Sequence, residues 1–151
     1  MSDPRVRAFA AFSPSPGDER LGPRPAAFSD LWRPLLCLTG SLDTDPLNPG
    51  SPRGQSGAWR RAVYDAVPSG DKAELWLDGA DHMSFGGNPI TGPWAARRPA
   101  TAVQQADRHH ALISTVSADW WRAQLMDDAA ARVRLSAPPA GLGPQDEWRR
   151  G

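Results

Sequence analysis

The sequence predicts an α/β fold with a mainly parallel sheet, and three observations carry that prediction. Apolar runs of strand length stand at residues 5–12 (RVRAFAAF), 35–39 (LLCLT) and 73–77 (AELWL). The second run is apolar without interruption, the pattern of a strand buried on both faces. Apolar residues at helical spacing lie between and after these runs, so strands alternate with helices.

The elements follow in order. Residues 13–25 (SPSPGDERLGPRP) hold too many Pro and Gly for a regular element and read as loop. A short helical turn is expected around Phe28 to Trp32, before Pro34 and the second strand. Residues 40–54 read as loop. Residues 55–67 place Trp59, Ala62, Val63, Ala66 and Val67 at helical spacing, and Pro68-Ser69-Gly70-Asp71 ends that helix. The third strand is followed by a Gly/Pro-rich loop over roughly 78–100. The strongest helix covers about 102–126, with Val103, Ala106, Ile113, Val116, Trp120 and Ala123 on one face. Residues 127–135 add a short helix. Residues 1–135 thus form one partial α/β domain, and 136–151 a Pro/Gly-rich tail expected to be loosely held. Three strands are few, and residues 5–12 would form an apolar unpaired edge. The sheet is therefore expected to be incomplete, with strands missing or supplied by another chain. The opening Ser-Asp-Pro running straight into an apolar stretch reads as the interior of a longer fold.

Bulk properties exclude several functions. The 151 residues match one domain or a large piece of one. Formal net charge is zero, which removes the electrostatic case for nucleic acid or an anionic membrane surface. The single cysteine, Cys37, allows no intrachain disulfide or thiolate cluster, and its apolar neighbours read it as a small buried hydrophobe. No apolar stretch reaches the roughly 18 residues of a membrane span. No signal-peptide pattern opens the chain, leaving the cytoplasm as the default expectation.

Open α/β sheets build their sites beyond the carboxyl ends of the strands. Asp43 follows the second strand there, and His82 follows the third. On neighbouring parallel strands the carboxylate would orient one imidazole nitrogen and leave the other to take a proton from a nucleophile. Asp45, before Pro46, reads as a turn former. Asp81 adjoins His82 in sequence and is a poor orienting group, because neighbours in an extended loop point apart.

Here the chain resembles a family. "PLLCLTGSLDTDP" followed by "DKAELWLDGADHMSFGG" is similar to the last third of an α/β-hydrolase of the dienelactone hydrolase and platelet-activating-factor acetylhydrolase-like group. "DPRVRAFAAFSPSP" resembles the strand after that group's nucleophile helix. Gly40-Ser41-Leu42-Asp43 matches its acid turn, Gly79-Ala80-Asp81-His82 with Phe85 its histidine loop, and "HHALISTVSADWWRAQL" its C-terminal helix. The resemblance runs to about residue 135. It implies hydrolysis of a carboxylic ester, lactone or thioester through a Ser-Asp-His triad. Asp43 would be the acid and His82 the base, with a small ester-type substrate and no cofactor.

The nucleophile of that triad is absent. Family members carry Gly-x-Ser-x-Gly between a strand and a helix, upstream of the acid. The nearest string, Gly54-Gln55-Ser56-Gly57-Ala58, lacks the second Gly and the preceding strand, and lies after Asp43. Ser13 and Ser15 follow the first strand but sit among prolines with no helix behind them. Ser84, beside His82, reads as a turn residue. The resemblance thus implies the C-terminal part of a serine hydrolase, inactive alone. The alternative is a non-catalytic remnant or binding module that pairs through its edge at residues 5–12.

Other features carry less. Asp107, His109 and His110 suggest a metal site, with Asp107 and His110 on one helix face, but without further ligands they read as solvated or packed helix residues. Trp76, Trp120 and Trp121 read as core or interface residues. Trp94, in the loop after His82, is the one candidate among the tryptophans for a place near a substrate. Arg97 and Arg98 read as solvated, with an anion-anchoring role the lesser alternative.

Overall fold

The computed structural model describes residues 3–17, 28–45, 47–68, 70–87 and 92–151. Its sheet has four strands in the order β1-β2-β3-β4. These are β1 (Phe9–Phe12), β2 (Leu35–Leu42), β3 (Lys72–Asp81) and β4 (Glu147–Arg150). The first three are parallel, and β4 runs antiparallel to β3. The predicted α/β class with a mainly parallel open sheet holds, and among the described residues β1 forms one edge.

Alternation along β2 creates the two faces. Leu36 and Leu38 turn to one side, with Ala73, Leu75 and Leu77 of β3. Leu35 and Cys37 turn to the other. The first face is covered by α4 (Ala106–Leu125) and α5 (Ala129–Leu135). Leu112, Ile113, Val116, Trp120 and Ala123 of α4 are buried there. Each large side chain so placed contributes about 1.5–3 kcal/mol relative to exposure. Trp120 is fully buried, and its indole N–H donates to the Phe9 carbonyl at 3.0 Å, tying α4 to β1. The second face is covered by Val63 and Tyr64 of α2 (Ala62–Ala66), together with Val67.

Three local differences from the sequence expectation have physical causes. The helix expected over 55–67 is broken into α1 (Pro52–Gln55), a 3-10 turn (Gly57–Arg61) and α2. Ser51 and Ser56 each accept from a backbone N–H three and two residues on, so each starts a new turn. The long helix is interrupted at Gln105, between α3 (Ala100–Gln104) and α4. The loop expected after residue 77 is shorter, because β3 runs on to Asp81.

The largest departure is the tail. It was expected to be loosely held, yet Glu147–Arg150 adds β4. Trp148 lies opposite Leu75 and packs on the core, while Arg149 lies opposite Glu74 on the other face. Glu74 is fully buried and paired with Arg61 at 2.9 Å and Arg149 at 2.7 Å. Burial pushes its carboxyl above the usual range, and the two arginines oppose that. A four-residue strand recruited by one indole and one buried carboxylate has no periodicity to detect in the sequence.

Candidate active site

The carboxyl ends of β1, β2 and β3 converge on one cluster. Asp43 sits one residue beyond β2, where its N–H donates to the Gly40 carbonyl at 3.1 Å. It is completely buried. His82 opens the 3-10 turn His82–Phe85 just after β3. Its Nδ1 lies 3.1 Å from Asp43 Oδ1. The two residues expected to meet do meet.

A break in sheet register brings them together. β2 advances from Gly40 to Leu42 while β3 advances from Leu77 to Asp81, so β3 arches outward between those pairs. Gly79 makes the arch with φ +77°, a conformation that favours glycine. Ser41 Oγ spans it, accepting from Gly79 N–H and donating to Asp78 Oδ1, each at 2.8 Å. Gly40 is required at the foot, because a Cβ there would lie 2.5 Å from the Ala80 carbonyl oxygen.

Asp81 does not orient His82, as expected, but it does hold the turn that carries it. Its carboxylate accepts from Ser84 N–H at 3.0 Å and Ser84 Oγ at 2.8 Å. Ser84 Oγ in turn accepts from Asp81 N–H, closing a capping box. Arg98 forks onto both Asp81 oxygens at 2.9 and 2.8 Å. The paired Ser84 and Arg98 hold Asp81 below the usual carboxylate range against the opposing effect of burial, which is the largest single influence. Ser84 is thus the turn residue predicted, and Arg98 is committed to a protein carboxylate rather than solvated or open to an anion.

Ser13, set aside in the sequence, lies inside the cluster. Its Oγ is 2.8 Å from Asp43 Oδ1 and 2.7 Å from His82 Nδ1. It also takes φ +53°, unusual for a residue with a Cβ. Strain of this kind, costing on the order of 1–3 kcal/mol, persists only where neighbours fix it. Here Ser13 N–H donates to the Leu38 carbonyl at 2.7 Å, and Arg60 donates to the Ser13 carbonyl at 2.9 Å. The one clue in the sequence was its place at a strand's carboxyl end.

Thr39 and Arg60 complete the shell, and neither was singled out in the sequence. Thr39 Oγ1 donates to Asp43 Oδ2 at 3.0 Å. Arg60 Nε lies 2.9 Å from Asp43 Oδ1, with side chains 6% and 0% exposed. Asp43 therefore has partners on both oxygens.

The network fixes the tautomer of His82. Asp43 can only accept, and the Ser13 hydroxyl donates to it. A proton on Nδ1 satisfies both contacts to that nitrogen, whereas a bare Nδ1 would face the carboxylate lone pair to lone pair. Nε2 then carries the free lone pair. The His82 side chain is 51% exposed, and among the described residues none bonds to Nε2. The result is a base oriented from behind by a buried carboxylate and open in front.

The remaining candidates fall elsewhere. Ser56 caps the turn Gly57–Arg61 by accepting from Ala58 N–H at 3.1 Å. Asp45 shapes its own turn, accepting from Leu47 N–H at 2.9 Å, as expected. Asp107 and His110 are exposed on α4. Among the described residues no group of three His, Cys, Asp or Glu side chains is arranged to hold a metal. The Trp94 side chain lies outside the described residues. No helix among the described residues is long and apolar enough to cross a membrane.

No family model matches the chain, and neither a curated protein nor a solved structure matches it.

Proposed function

We propose that this chain supplies the acid and the histidine of a serine-hydrolase site of the α/β-hydrolase kind, acting on a carboxylic ester, lactone or thioester. The observation that carries the reading is the pairing of His82 Nδ1 with buried Asp43, on a half-exposed ring whose Nε2 has no bond among the described residues. In the reaction, Nε2 takes the proton of an attacking serine. The alkoxide adds to the acyl carbon, and Asp43 offsets the imidazolium charge. His82 then gives the proton to the departing alkoxide or thiolate. A water repeats the cycle on the acyl-serine.

The attacking serine is not Ser13. Ser13 contacts the same ring nitrogen that faces Asp43, and its hydroxyl proton is directed to that carboxylate. The residue after it is Pro14, which has no N–H to hold an oxyanion. In this reading the nucleophile belongs to a polypeptide segment outside this sequence. Without it the chain is inactive or nearly so.

A second reading is favoured by the outer edge of β1. Among the described strands β1 pairs only with β2, so its outer backbone groups offer a template for strand addition without catalysis.

The test compares p-nitrophenyl ester and aryl lactone hydrolysis by this chain alone and by the longest natural product of its transcript. Fluorophosphonate labelling locates any reactive serine. Hydrolysis that needs His82, Asp43 and a labelled serine outside residues 1–151 supports the catalytic reading. Hydrolysis untouched by His82→Ala, or no labelled serine in any product, overturns it in favour of binding.

A further inference from the structure

We infer that Arg60 is a positioning residue for His82: it locks the carboxyl ends of β1 and β2 together and thereby fixes the oxygen that holds the imidazole in one tautomer. The inference rests on the hydrolase reading for its purpose, but not for its test.

The geometry is specific. Arg60 Nε donates to the Asp43 carbonyl at 2.8 Å. One terminal nitrogen donates to the Ser13 carbonyl at 2.9 Å and the Pro14 carbonyl at 3.2 Å. The other donates to the Thr44 carbonyl at 3.2 Å. One guanidinium thus ties both loops that carry the acid and Ser13. The planar five-donor fork of arginine suits the task where an ammonium does not.

Its delivery is built into the neighbouring turn. Gly57 presses against the end of β2, where a Cβ would lie 1.9 Å from the Gly40 carbonyl oxygen. The Trp59 ring covers the guanidinium at 4.4 Å. Burial lowers the Arg60 pKa, and Asp43 is the largest opposing influence. A charge is desolvated here only because the loop carbonyls and the carboxylate replace its water.

The contribution is geometric rather than electrostatic. Arg60 and His82 both lie against Asp43 Oδ1, at 2.9 and 3.1 Å. What Arg60 supplies is the placement of Oδ1 and of the Ser13 hydroxyl around Nδ1. Loosening either lets the proton move to Nε2, which would occupy the lone pair that a base needs.

The experiment is a long-range ¹H–¹⁵N spectrum of the histidine-labelled chain at mildly alkaline pH, with His82→Gln assigning the signals. The whole chain is used, and no substrate is needed. In the wild type His82 shows the Nδ1–H pattern alone. Arg60→Met is expected to lose that single pattern and show mixed tautomers while thermal unfolding stays cooperative. If Arg60→Met does not fold, Arg60→Lys replaces it: the charge remains, the fork is gone, and mixed tautomers are again expected. An Nδ1–H pattern unchanged in a folded variant overturns the inference. Such a result leaves the hydrolase reading intact, whereas absent esterase activity leaves the tautomer result intact.

Discussion

Asp43 and His82 meet at 3.1 Å across the ends of two neighbouring strands, yet their environments are opposite. The carboxylate side chain is 0% exposed and the imidazole side chain 51% exposed. The pair therefore joins a structural group to a reactive one, and substitutions at the two positions separate those properties. Asp43→Ala leaves the Thr39 and Ser13 hydroxyls without their acceptor and the buried Arg60 cation without its counter-charge, and removing one partner of a buried pair costs about 3–5 kcal/mol. His82→Ala removes a half-exposed ring, with an expected change under about 1 kcal/mol. Urea unfolding of both variants checks this, and equal losses would contradict the burial assigned to Asp43.

The packing of Gly57 on Gly40 gives a second expectation. Gly57→Ala forces the 57–61 turn away from β2, because the added methyl would overlap the Gly40 carbonyl. Overpacking of this kind costs about 1–3 kcal/mol. Gly50→Ala is the control, with nothing within 4 Å of the added Cβ. The melting temperature should fall for the first variant and stay level for the second.

His109 gives a pH dependence with a definite sign. It is fully buried on α4, with Nε2 3.1 Å from the Asp78 carbonyl. Burial pulls its pKa below the ordinary 6.5, aided by the Arg108 cation, while the Asp78 carbonyl, Asp146 and Asp81 oppose. The unfolded chain thus takes a proton that the folded chain refuses. Stability should fall as pH drops below the ordinary histidine value, by at most about 1.4 kcal/mol per pH unit, and level off once the folded state also protonates. His109→Gln keeps a donor to the carbonyl and should flatten the dependence. Urea midpoints at a neutral and a mildly acidic pH, for both proteins, read the difference.

Cys37 offers a reporter of the core. It lies on the α2 face of β2, 1% exposed. Burial, with Glu74 nearby, pushes its thiol up to about 12. The thiolate is the reactive form. Native protein should therefore resist a disulfide reagent at mildly alkaline pH, and one thiol per chain should react in denaturant. Rapid labelling without denaturant would show that the face is open.

The legible part of this protein was local. The runs at 35–39 and 73–77 announced buried strands because apolar continuity is written in adjacent residues. Parallel strands point their carboxyl ends the same way, so Asp43 and His82 fell into one site once the strands were placed. The meeting of Asp43 and His82 was thus readable from the order of the strands.

Tertiary structure decided the rest. Ser13 looked like one more residue of a proline loop, and Arg60 like one more arginine of a helix. Each became part of the site through carbonyls and carboxylates that other loops present. The tail became β4 because Trp148 and Arg149 found Leu75 and Glu74 across the sheet. Hydrophobic periodicity is a property of neighbours in the chain, and the sequence carries it openly. Polar satisfaction depends on which distant backbone groups arrive at the same place, and no spacing in one segment can record that.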